Sequence, residues 1–196
     1  TSDYLAERGV PDQLPSFSRY DGLTIALTVV AALSWVVQPQ AITTGWFLII
    51  AGLANIVRLS RWRGWTTWRE PIVLILHVGY GWLAFSLPII GGAILGFGLK
   101  PADAVHALTT GAVGAMTMAI MTRASLGHTG RPKHASPITV TIYILVNLGA
   151  LLRVFGPMTD LPTNLLFGAA AAIWSGAYLL FAAVYGPYLI RPSLDE

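Results

Sequence analysis

Few side chains in this sequence can do metal or acid–base chemistry. There are four histidines, His77, His106, His128 and His134, and no cysteine. Without thiols there are no thiolate metal sites, iron–sulfur clusters or disulfides. What remains is imidazole chemistry. A neutral imidazole is the least costly ionisable side chain to bury and the commonest metal ligand. His77, in "LILHVGYGW", and His106, in "DAVHALTTGAVGAMTMAIMT", both sit inside apolar runs.

Both histidines have two readings. Gly79, Tyr80 and Gly81 follow His77, and small residues admit either another helix or a flat macrocycle. His77 is thus a ligand or a packed histidine bonding a neighbouring helix. His106 precedes Ala107, Gly111 and Ala115 at four-residue spacing, with Gly114 and Met118 on a neighbouring row. That pattern predicts close helix packing, with His106 a ligand or a bridge. On antiparallel helices the two imidazoles differ in depth by roughly 15 Å. An imidazole nitrogen binds a metal within ~2.1 Å, so one ion cannot take both.

The other two histidines lie in "MTRASLGHTGRPKHAS", Met121 to Ser136, with Arg123, Arg131 and Lys133. His128 and His134 are six apart across Gly130 and Pro132, which matches no metal spacing. The three cations favour an anion or a lipid headgroup over a metal ion, or simply solvation. Gly127 and Gly130 are expected to shape an ordered turn.

The elements that must hold these residues follow from composition. Of 196 residues, 55% are hydrophobic and 11% charged, where soluble domains carry about 25% charge. Mean hydropathy is +0.64. The expected fold is all-α: a polytopic membrane bundle of six helices. The predicted spans are residues 22–37, 43–59, 71–96, 103–123, 136–155 and 162–185, within a domain 21–196 that follows a polar lead 1–20. The lead has no apolar segment of the secretory type. A first residue other than Met suggests processing or a fragment. Pro71 and Pro137 suit helix starts, and Asp103 an N-cap. Pro88 and Gly91-Gly92 are expected to kink or end the third span.

The stretch "RLSRWRGWTTWRE", Arg58 to Glu70, mixes Arg and Trp as a membrane interface does. Ten of the 12 Lys and Arg residues fall on the side shared by the lead, this loop, the 123–135 loop and the C-tail. Only Lys100 and Arg153 face the other. The positive-inside rule then predicts both termini in the cytoplasm. The sequence pI near 9.4 reads as this asymmetry, not as nucleic-acid binding.

Residues His106 to Pro132, "HALTTGAVGAMTMAIMTRASLGHTGRP", resemble the signature of the NnrS family. So do "PIVLILHVGYGWLAFSL" around His77, "LVNLGALLRVFGP" around Arg153 and "RYDGLTIAL" near the start. The resemblance covers most of the chain. It implies a bacterial inner-membrane, multi-pass protein of nitric oxide metabolism, nitrosative stress and denitrification, containing haem, expected b-type, and copper. His77, His106 and His128 become candidate metal ligands. His77, His106, Arg123 and Arg131 become candidate haem-binding residues, the arginines pairing with propionates; Arg153 would do so on the other side. The family has about twelve spans, so this chain resembles its C-terminal half, with "TSDYLAERGV" like the connector. The implied partners are lipid, an N-terminal half or a homo-oligomer mate, and nitric oxide as ligand.

The rivals are half of a small-molecule or metal transporter with broken helices, and a non-catalytic helical subunit. The acids are read as terminal or in loops, which argues against hydrolase or transferase chemistry. Whether any reaction is catalysed stays open.

Overall fold

The computed structural model describes residues 16–194, which form helices and no strand. Six helices are long and apolar enough to span a membrane: α1 Arg19–Val37, α2 Ile42–Arg61, α3 Pro71–Ile94, α4 Pro101–His128, α5 Pro137–Phe155 and α6 Thr163–Leu189. The protein is a multi-pass membrane protein of the all-α class. Most of the polar lead lies outside the described residues, and Arg19 and Tyr20 already belong to α1.

Proline starts three helices: Pro71 in α3, Pro101 in α4 and Pro137 in α5. Its φ suits the first turn, where its missing N–H has no helical partner to lose. Ser136 caps α5 by accepting the Thr139 N–H at 3.3 Å. Ser18 precedes α1 and gives both its N–H and its hydroxyl to Asp21 Oδ2, at 2.9 and 2.7 Å. Asp103 is not an N-cap. Lys100 holds that position, and the Asp103 carboxylate accepts from Arg153 at 2.8 Å.

Of the six spanning helices α3 is the most buried and α1 the least, so α3 is the central helix. It joins two cores. One gathers Ile72, Ile75, Met118, Ile142, Val146 and Tyr185 from α3 to α6. The other gathers Ala31, Leu48, Leu87, Ile90 and Ala104 from α1 to α4. The outer face of α1 exposes Leu23, Val29, Leu33 and Val36. Lipid solvates such a face without the cost it would have in water.

Pro88 does not end α3, which runs on to Ile94, two residues past Gly92. The reason lies on α2. A Cβ at Gly52 would overlap the Pro88 ring, and one at Gly45 would sit 3.2 Å from the Gly91 carbonyl. The two helices therefore pack backbone to backbone, and contact holds the proline turn in place.

Helix α4 reaches His128, past the predicted end at Arg123. Gly130 then takes φ +66°, and the Arg131 N–H returns to the Leu126 carbonyl at 2.9 Å. This is a Schellman stop, in which glycine supplies the left-handed residue. Arg123 and His128 thus sit on a helix, and the loop shrinks to 129–136. Gly127 is helical and does not shape the turn.

Candidate functional site

His106 is the last α-helical residue before a π-helical segment, Ala107–Val113, in the middle of α4. Such segments widen a helix and displace its carbonyls from the usual ladder. Helix α6 supplies a donor to one carbonyl of the segment and another to the residue just after it. The Trp174 indole N–H donates to the Thr110 carbonyl at 3.2 Å, and the Tyr178 hydroxyl to the Gly114 carbonyl at 3.1 Å. Gly114 makes room for this, since a Cβ there would lie 2.9 Å from Trp174 Nε1.

Beside the segment is a pocket of about 330 Å³, lined by His106, Thr110, Arg153, Phe167, Trp174 and Ser175 among others. His106 Nδ1 is 2.8 Å from the Ala102 carbonyl. A carbonyl only accepts, so Nδ1 carries the proton and Nε2 keeps its lone pair in the neutral ring. Metal-binding histidines are commonly oriented in this way. The Arg153 guanidinium lies 4.1 Å from the Phe167 ring centroid and is paired with Asp103.

His77 is buried under different cover. Its Nδ1 is 3.2 Å from the Val73 carbonyl, and Trp62 meets its ring edge-on with centroids 6.4 Å apart. Gly64, in the short helical turn Gly64–Thr67, lies against the imidazole: a Cβ there would come 2.5 Å from Cδ2. Gly79 brings in a helix, since its Cβ position is 3.2 Å from the Met116 backbone nitrogen on α4. Gly79 and Met116 thus mark one level of the bundle. From there His106 lies a further ten residues along α4, roughly 15 Å by helical rise.

The remaining predicted residues disperse. Arg123 and His128 line a groove with Lys133 at the far end of α4. Arg123 is seventeen residues from His106, roughly 25 Å along the helix. Arg131 turns the other way, 4.3 Å from the Tyr188 ring centroid, with Nη1 donating to the Thr129 carbonyl at 3.1 Å. His134 Nδ1 is 3.2 Å from Glu70 Oε1, but the alignment is not that of a hydrogen bond. Among the described residues no group of three His, Asp or Glu side chains could hold a metal ion.

The acids were read as terminal or in loops. Asp21 corrects that reading: it belongs to α1 and joins a polar chain between α1, α2 and α3. Asp21 is buried and accepts from Arg58 Nε at 3.1 Å, with Arg61 Nη1 at 3.4 Å. Arg58 Nη1 donates to the Tyr80 hydroxyl at 2.9 Å, which donates to Asn55 Oδ1 at 2.5 Å. Asn55 Nδ2 reaches Thr28 at 2.8 Å. The signal was in the sequence. Residues 21 and 58 are equidistant from the turn at 38–41, so an antiparallel hairpin sets them opposite each other.

A family model described as NnrS protein matches residues 2–193. The chain belongs to the NnrS family. No curated protein and no solved structure matches it. For this NnrS-family chain, the stretch His106–Pro132 is one structural unit: the π segment, the rest of α4 and its Schellman stop.

Proposed function

We propose that this NnrS-family protein is a bacterial inner-membrane component of the nitric oxide and nitrosative-stress response, and that it binds a b-type haem through His106. The observation that carries the reading is His106 itself. Its imidazole is oriented by the Ala102 carbonyl and lines a pocket with an arginine and two aromatic rings. That donor set would suit haem, whose iron an imidazole can ligate. At about 330 Å³ the pocket is at the low end of ligand sites, which run ~300–1,000 Å³.

The chemistry such a group supplies is reversible coordination of a diatomic gas. The chain's own part is narrower. His106 Nε2 offers the lone pair, Phe167 and Trp174 exclude water, and Arg153 presents a guanidinium beside its Asp103 pair. Arg153 is the arginine placed to meet a propionate here, whereas Arg123 and Arg131 are at the other end of the bundle. His77, shut under Gly64 and Trp62, is the weaker ligand. Copper fits less well: with three clustered donors missing among the described residues, its ligands would come in part from outside them, from an N-terminal half or a second copy. Both termini are assigned to the cytoplasm on charge asymmetry.

The test is the visible spectrum and the iron and copper content of the protein purified in detergent from cells supplied with a haem precursor. A Soret band lost in His106→Ala and kept in His134→Ala supports the reading. A colourless, metal-free preparation sinks it.

A further inference from the structure

We propose that the groove at the end of α4 is a site for the phosphate headgroup of an anionic phospholipid. It measures about 400 Å³ and is lined by Arg123, His128 and Lys133 over a floor that includes Leu76, Ile120 and Gly127, with no carboxylate. Other cations of the protein are already engaged. Arg58 and Arg61 meet Asp21, Arg153 meets Asp103, and Arg131 lies over Tyr188. Arg123 and Lys133 have no carboxylate partner among the described residues.

The sequence holds these two charges together. Arg123 and Gly127 are four apart and so share a face of α4. Gly127 lets the Lys133 stem lie down on that face: a Cβ there would come 3.1 Å from Lys133 Cε and 3.7 Å from Nζ. Two cations brought together over an apolar floor call for an anion between them, and guanidinium and ammonium groups both suit phosphate oxygens.

Two further observations select a lipid as its source. Trp65 and Trp68, in the loop at the same end of the bundle, are 63% and 64% exposed, and exposed Trp marks the headgroup level. Below the groove, α4 turns Ile120 and Val113 outward, 54% and 58% exposed. They are seven residues apart, two helical turns on one side, a path for an acyl chain beneath a bound headgroup.

The experiment is native mass spectrometry of the full chain in neutral detergent, titrated with dioleoylphosphatidylglycerol, dioleoylphosphatidylcholine or inorganic phosphate. We expect retained phosphatidylglycerol adducts. We expect on the order of twentyfold weaker binding in Arg123→Gln/Lys133→Gln, from roughly fivefold per cation. The charge-matched control Arg69→Gln/Arg191→Gln, on the same basic side, should bind like the parent. Lys133→Gln alone, in an exposed loop, should weaken binding about fivefold even if the double variant fails to fold, and Lys133→Arg should restore it. Equal loss in the control would reduce the site to diffuse charge. Equal binding of phosphatidylcholine, or displacement of the lipid by equimolar inorganic phosphate, would overturn the assignment.

Discussion

Trp174 on α6 donates its indole N–H to the carbonyl of Thr110 on α4 at 3.2 Å. The acceptor lies inside the π segment that begins one residue after His106. One side chain thus supports the irregular backbone and forms a wall of the adjoining pocket. Replacing Trp174 by Phe keeps most of the ring and removes the donor. The cost should be about 1 kcal/mol, the scale of hydrogen bonds between membrane helices. Thermal unfolding in detergent measures it, and a variant as stable as the parent would show that the carbonyl does not need the indole.

The haem reading predicts a cavity that small molecules refill. His106→Gly should lose the Soret band and regain it when millimolar imidazole is added. His77→Gly should keep the band from the start. Absorbance titration distinguishes the two, and retention of the band in His106→Gly without imidazole contradicts the ligand assignment.

The α2–α3 contact predicts opposite outcomes at two helical glycines. At Gly52 a Cβ overlaps the Pro88 ring, whereas at Gly168 nothing lies within 4 Å. Gly52→Ala should destabilise by about 1–3 kcal/mol, as overpacking does. Gly168→Ala should be neutral or stabilise by up to about 1 kcal/mol, because alanine loses less entropy in a helix. Melting temperatures of the two variants, side by side, give the answer.

Asp21 and Arg58 join α1 to α2 near one face of the bundle. Asp21→Asn leaves Arg58 with the Tyr80 hydroxyl and no carboxylate. Removing one partner of a buried pair costs about 3–5 kcal/mol; both arginines here are partly exposed, so about 2 kcal/mol is expected. In a double-mutant cycle with Arg58→Gln, the second substitution should cost less once the first is made. Additive losses would show that the pair is not coupled.

Much of the fold was legible because a membrane is a severe solvent. Backbone polar groups in hydrocarbon must be satisfied internally, so long apolar runs become helices. Pro71 and Pro137 each begin a helix, as their ring geometry and missing N–H dictate. The extent of α4 was misjudged because Arg123 looks like the wet end of a span. It is Gly130, seven residues later, whose positive φ allows the stop. The predicted span 71–96 already ran past Pro88, but the reason the proline is accepted in α3 lies on another helix, at Gly52, thirty-six residues earlier.

By itself, the sequence determined the class of protein, the presence of six spanning segments and the short list of imidazoles able to bind a metal. Composition and periodicity are local properties, and they suffice for those conclusions. The tertiary structure alone decided which neighbour each imidazole has. His106 shares a pocket with Arg153, Phe167 and Trp174, which come from other helices. His77 is covered by Gly64, from a loop. Arg123 is set beside Lys133, not beside His77 or His106. These pairings depend on helix rotation and on the extra width of a π turn, which sum many weak packing contacts over the whole bundle, and no short window of residues carries that sum.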